Sequence, residues 1–216
     1  MSYYTMKTRQ EIKEEAKMRF AENRGPCIGV YVLSAIFIFV LGGAMAGVGA
    51  LILAPVITVA VSGFFTQVYD GARVTVSDWF SGMFDGFGRK WLGVFFMALF
   101  TFLWTLLLVI PGIVKAVAYS MTPYILAECP NVEPKDALRL SERITDGYKM
   151  DIFVAALSFL GWEILAWFTF GILEIVFVGP YQSTTFGGIY RELKRNAIEN
   201  GTVREEDFMG GYEIRG

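Results

Sequence analysis

Residues 91–110 read WLGVFFMALFTFLWTLLLVI, twenty positions without a charged side chain. Wound as a helix they measure about 30 Å, the thickness of the hydrocarbon core of a bilayer. Five further apolar runs flank this one, at 27–43, 51–69, 113–127, 150–169 and 172–190. Together they make the chain 54% hydrophobic, with 19 Phe and a mean hydropathy of +0.46. That leaves too little polar surface to cover a soluble core of 216 residues. The expected fold is all-α, a polytopic membrane protein. About six transmembrane helices would form three hairpins, with short cytoplasmic interfacial helices between them.

The basic residues predict how the chain is threaded. Lys115 apart, every Lys and Arg falls within 7–24, 73–90, 135–149 or 191–215. Six crossings put these four segments on one side, and the opposite loops near 43–50, 111–112 and 170–171 carry no basic residue. Basic loops stay in the cytoplasm, so both termini are expected there. The chain then divides into a charged N-terminal helix (1–26), a membrane domain (27–194) and a polar tail (195–216). Ala44-Met45-Ala46 has the small-x-small form of a signal cleavage site. The long Glu-rich segment ahead of 27–43 argues instead for a retained first helix.

Composition removes several function classes. There is no histidine, so Ser-His-Asp triads, Cys-His pairs and H-E-x-x-H zinc sites are all absent, and no G-x-x-x-x-G-K-[ST] loop occurs. The net charge is −2, and Glu11, Glu14, Glu15 and Glu22 interrupt the basic stretches, which argues against nucleic acid. Cys27 and Cys129 are isolated, giving neither a disulfide framework nor metal spacing. No catalytic residue, cofactor or metal is expected.

Three short helices are expected on the basic side. Ile12, Ala16 and Phe20 form a weak stripe over 5–24 that suits either the inner membrane surface or a solvated helix. Over 76–90, Val76, Trp79, Phe80, Met83, Phe84 and Phe87 share one face, with Ser77 as the N-cap. That face suits the membrane interface or the base of the bundle equally. Pro134–Thr145 starts with Pro134, buries Ala137, Leu140, Ser141 and Ile144, and ends near Gly147. Residues 201–216 read as a polar tail with little to bury. Trp104, Gly112 and Pro123 are echoed by Trp162, Gly171 and Pro180, although ordinary helix ends and kinks explain these positions as well.

Lys115, Glu163 and Glu174 are the ionisable side chains well inside the apolar runs. Each costs about 2.5–3.5 kcal/mol near a bilayer centre, so they should face the protein. Counting from the hairpin turns puts all three in the outer half. One reading is a polar cavity in which Lys115 anchors an anionic group and a Glu serves as partner or proton carrier. The other is an ion pair between Lys115 and Glu163 or Glu174 that fixes helix register, or snorkelling to the interface.

The chain also contains Leu103-Trp104, Ile110-Pro111-Gly112-Ile113, Lys115 and the run from Tyr119-Ser120-Met121-Thr122-Pro123-Tyr124 to Ile125-Leu126-Ala127-Glu128. Ala137-Leu138, Ser141, Gly147-Tyr148-Lys149, Leu157-Ser158-Phe159, Gly161-Trp162, Gly171-Ile172 and Pro180-Tyr181 follow. This string, over roughly 71–194, resembles a family of small bacterial multi-pass membrane proteins catalogued as a domain of unknown function. That family is distantly similar to the membrane domain of some glycerophosphodiester phosphodiesterases. The resemblance implies the fold and a place in the bacterial cytoplasmic membrane. It implies no activity, because the phosphodiesterase reaction belongs to a separate soluble barrel with a catalytic His. The family is usually apolar where Glu163 and Glu174 stand, so a role for them would be particular to this chain.

The functional expectation is a protein without catalytic activity of its own that binds or moves a lipid or a small amphiphilic or anionic molecule. Its candidate ligand-binding residues are Lys115, Glu163, Glu174, Tyr119, Tyr124 and Tyr181. The alternative is a membrane scaffold or regulatory subunit that binds a partner through the helix at 134–147 or the tail. Beyond the bilayer itself, the expected partners are that ligand, a second copy of the chain or another membrane protein.

Overall fold

The computed structural model describes residues 6–44 and 48–210, with side chains at 6–40 and 49–210; no strand occurs among them. The helices are α1 (Arg9–Glu22), α2 (Arg24–Ala44), α3 (Val48–Tyr69), α4 (Val76–Phe84), α5 (Phe87–Leu107) and α6 (Val109–Tyr119). They continue with α7 (Thr122–Glu128), α8 (Pro134–Ile144), α9 (Lys149–Phe168) and α10 (Gly179–Glu199). A π turn spans Glu174–Val178 and a single 3₁₀ turn spans Glu205–Phe208. Among the described residues, four helical stretches are long and apolar enough to cross a membrane: Gly49–Tyr69, Phe87–Leu107, Val109–Glu128 and Lys149–Phe168. A fifth is added if α1 and α2, bent by 89° at their junction, count as one broken span. The expected run at 172–190 is not one regular helix, because the π turn interrupts it before α10 begins. The Ala44–Ala46 stretch lies outside the described side chains.

Two apolar clusters hold the bundle together. One gathers Ile12, Ala16, Val59, Met121, Ile125, Leu140, Tyr190 and Leu193 from α1, α3, α7, α8 and α10, together with residues between them. The other gathers Phe20, Val30, Val56, Phe65, Trp79 and Met83 from α1 to α4. α3 and α10 cross closely because α10 carries Gly187 and Gly188 there. A Cβ at Gly187 would lie 3.1 Å from the Phe65 carbonyl oxygen, and one at Gly188 would strike the Tyr69 ring.

The amphipathic reading of α1 needs correction. Ile12, Ala16 and Phe20 are at most 3% exposed and pack into the protein, not onto a membrane surface or into water. Thr8 caps the helix by accepting the Glu11 N–H at 3.3 Å, and the Glu11 carboxylate takes the Thr8 N–H at 2.7 Å. For α4 the expected cap shifts by two residues, from Ser77 to Thr75, whose N–H donates to Asp78 at 2.7 Å. Its apolar face divides: Trp79 and Met83 are buried, whereas Phe80 and Phe84 remain exposed. The tail is also more than a solvated end. Val203 and Phe208 join the first cluster, and Lys194 stands 4.5 Å from the centre of the Phe208 ring.

α5 and α6 form an antiparallel hairpin about Leu108, with Gly112 packed against Thr105. α6 and α7 continue in line but break at Ser120–Met121. α8 answers that break: Ser141 Oγ donates to the Ala118 carbonyl at 2.7 Å and accepts the Met121 N–H at 3.2 Å. α8 itself stops at Ile144 with Thr145 as its cap, earlier than the expected end at Gly147, which at φ 81° closes the turn that follows. The suggested repeat is half present. Pro123 and Pro180 both open a helix, yet Gly112 sits within α6 while Gly171, at φ 79°, makes a turn.

Candidate functional site

α9 ends at an apolar tip where Phe170, at φ 53° and 98% exposed, precedes Gly171. The Gly171 N–H bonds back to the Ala166 carbonyl at 2.9 Å, and the chain returns through the π turn. Extra residues in a π turn shift side chains off the regular helical face, and such turns gather at functional sites. The result is an open cleft of about 610 Å³ between α9 and the returning segment, lined by Glu163, Trp167, Phe168, Phe170 and Glu174 among others. Trp167 and Phe168 are well exposed on its rim. Glu174 Oε2 is buried without a hydrogen-bond partner. Gly179 admits this carboxylate to the bundle, since a Cβ there would lie 2.8 Å from Glu174 Oε1. Beside it Tyr31 of α2 shares a hydrogen bond with Ser183 Oγ at 2.6 Å.

The expected site residues do not meet in one place. Glu163 and Glu174 share the cleft. Lys115 pairs with neither of them: its Nζ lies 2.5 Å from Glu142 Oε1 on α8, with the Trp104 and Tyr119 rings at 5.4 and 5.6 Å. The expected partner is thereby corrected. The reason is reach, because α8 packs across α6 and brings its own carboxylate to the lysine. Tyr124 stacks on Tyr190 at 5.6 Å in the first cluster. Tyr181 lies edge-on to Phe159 at 5.3 Å. Tyr31, Ser183 and Glu142 were not anticipated. Glu142 had a legible signal as an acid in the charged face of α8; Tyr31 had none, since its role needs α2 beside α10.

A second cleft, of about 530 Å³, opens at the opposite, charged end. Arg191 holds Asp70 and Glu128, each at 2.5 Å, and Lys194 adds a contact to Glu128 at 3.1 Å. Burial works to lower the Arg191 pKa, but the hydrogen bonds and charges of Asp70 and Glu128 together outweigh it and raise the value overall. Glu192, 2% exposed, accepts the Lys7 N–H at 3.3 Å and pairs with Arg195 at 2.5 Å. Glu15 takes the Tyr69 hydroxyl at 2.9 Å and Lys7 Nζ at 2.6 Å. Both signs are matched here, so the network locks α1, α3, α7 and α10 together. Among the described residues no cluster of three His, Cys, Asp or Glu could hold a metal.

Residues 92–197 match a family model, "Protein of unknown function (DUF975)". The matched region runs from α5 through most of α10 and so contains the α9 cleft, Lys115 and Glu142. No curated protein and no solved structure matches the chain.

Proposed function

We propose that this protein binds or carries a lipid or small amphiphile, without catalytic chemistry of its own. The observation that carries the reading is the α9 cleft, where an exposed aromatic rim stands beside two carboxylates. An apolar tail can lie on Trp167 and Phe168, and a polar head can reach Glu174, whose Oε2 has no partner. The cleft volume lies within the range of small-molecule sites, roughly 300–1,000 Å³. Lys115 is engaged by Glu142, which removes the anchor for an anionic group and leaves the carboxylates to select the head. We further propose six crossings of a bacterial cytoplasmic membrane with both termini inside, supported by the one-sided placement of Lys and Arg.

The test is native mass spectrometry from mild detergent. The parent protein should retain an amphiphile of defined mass, and Trp167→Ala and Glu174→Gln should each lower its occupancy several-fold. A parent without any retained small molecule, or variants with unchanged occupancy, would overturn the reading.

A further inference from the structure

α8 lies crosswise on the α5–α6 hairpin. At its start Lys135 Nζ stands 5.6 Å from the centre of the Phe96 ring on α5. Near its end Ser141 and Thr145 both donate to the Ala118 carbonyl on α6. Phe96 and Ala118 are equally far from the hairpin turn at Leu108, to within about 3 Å. A helix joining two points at one level runs along the bilayer plane when the hairpin crosses the bilayer.

Its inner face is fixed: Ala137, Leu138, Leu140, Ser141 and Ile144 are buried. Its outer face carries Lys135, Arg139, Glu142 and, in the turn that follows, Asp146, while Arg143 at its edge turns away to donate to the Thr202 carbonyl and the half-buried Asp136 lies against Arg139. The spacing of four, three and four residues puts these on one stripe opposite the buried side. The setting of this stripe is apolar. On α5, exposed hydrophobic residues run from Leu92 to Leu107, and so extend past the level of Phe96 on the side away from the turn. Charged groups at such a depth are costly unless another protein surface or water covers them.

The order of charge on the stripe says what would cover it. Two cations come first and two anions last. Turned end for end, the same stripe sets Lys135 opposite Asp146 and Arg139 opposite Glu142, and each match occurs twice about a two-fold axis. Laid parallel, it would set like against like. Two copies related by an axis normal to the bilayer present in-plane helices to each other antiparallel, and such a contact is isologous. Glu142 and Asp146 already hold Lys115 and Lys149, at 2.5 and 2.9 Å. A carboxylate has about four acceptor positions and can take a second cation. An anionic lipid headgroup fits less well, because the stripe has equal numbers of both signs.

We infer that the outer face of α8 is a homodimer interface, in which Lys135, Arg139, Glu142 and Asp146 meet the same residues of a second copy turned end for end. The inference does not depend on the proposed ligand, but it rests on the proposed crossing of the bilayer by the α5–α6 hairpin.

The test uses the full chain in lipid nanodiscs and in mild detergent, with copy number read by native mass spectrometry. The parent should be a two-copy species. Lys135→Glu and Asp146→Lys should each weaken pairing at least about tenfold, because each places like charges opposite one another twice. Both sites are exposed and Asp146→Lys gives up only a surface pair with Lys149, so the single-copy variants should melt close to the parent. Co-expressed, the two variants should restore pairing as the mixed species alone. A parent of one copy, single variants that pair as the parent does, or a mixture that stays unpaired would overturn the interface. A headgroup-binding face would give the first of these results, with anionic lipid retained on a single copy.

Discussion

Ser141 bonds to Ala118 across two helices, its hydroxyl donating to the backbone carbonyl at 2.7 Å where α6 gives way to α7. The same oxygen accepts the Met121 N–H at 3.2 Å, so one side chain serves both backbone groups freed by the break. A broken helix is tolerated in a membrane where protein satisfies its backbone, and α8 is the element that does so here. Ser141→Ala removes both contacts and leaves buried groups without partners. The expected loss is about 1–3 kcal/mol, read by chemical or thermal unfolding in detergent. Thr145, which also reaches the Ala118 carbonyl at 3.3 Å, should soften the loss, so Thr145→Val combined with Ser141→Ala should cost more than either change alone.

Lys115 and Glu142 should behave as a coupled pair. Lys115→Met and Glu142→Gln are each expected to destabilise the protein, and the double variant should lose less than their sum. A coupling of about 0.5–3 kcal/mol is typical of residues in one ion pair, and the partial exposure of both groups puts this pair toward the lower end. Lys115→Met with Glu174→Gln should be additive to within about 0.5 kcal/mol. Coupling to Glu174 in place of Glu142 would refute the packing of α8 against α6.

The contrast between those two cycles shows where sequence stops being enough. Most of the helical runs and the short helix at 134–145 were legible, because they rest on local periodicity; counting from the turns grouped Lys115 with Glu163 and Glu174, and only the two acids share a cleft. The partner of Lys115 was not legible, since it lies on a helix 27 residues away and depends on how α8 crosses the hairpin. The α1 stripe looked weak for a related reason. Three buried residues among many charges read as a surface helix until α3, α9 and α10 supply Tyr69, Asp151 and Glu192 as partners for those charges. The π turn left no mark either, since Ile175 to Val178 are apolar like their neighbours and Glu174 reads equally well on a regular helix.

Glu192 should give stability a pH dependence of definite sign. Burial raises its carboxyl pKa above the ordinary 4.5, while the Lys7 N–H and ammonium pull it back and Glu15 and Glu199 add to the rise. A carboxyl raised in the folded state contributes stability that is complete below its ordinary pKa. That contribution is lost as pH rises through the folded value. Relative to Glu192→Gln, the parent should therefore lose melting temperature as pH increases above 4.5, with no difference in pH dependence below it. Melting in detergent at steps between about pH 4 and about pH 8 measures this, and an opposite slope would mean that the cations around Glu192 outweigh its burial.

The threading can be read with single cysteines in a parent whose buried Cys27 and Cys129 are replaced by Ala or left unreactive. Phe170 is 98% exposed at the apolar tip, and Lys17 and Arg204 are exposed near the two ends of the chain. With basic segments inside, Phe170→Cys in whole cells should react with an impermeant maleimide. Lys17→Cys and Arg204→Cys should react only after the membrane is opened. Ser141 makes a poor reporter despite its basic neighbours, because it is buried and would stay unlabelled on either side. Lys17 and Arg204 answering differently would mean an odd number of crossings, and the interrupted run at 172–190 would be the first candidate for a segment that does not span. Both reacting from outside while Phe170 does not would invert the whole protein and place the α9 cleft toward the cytoplasm.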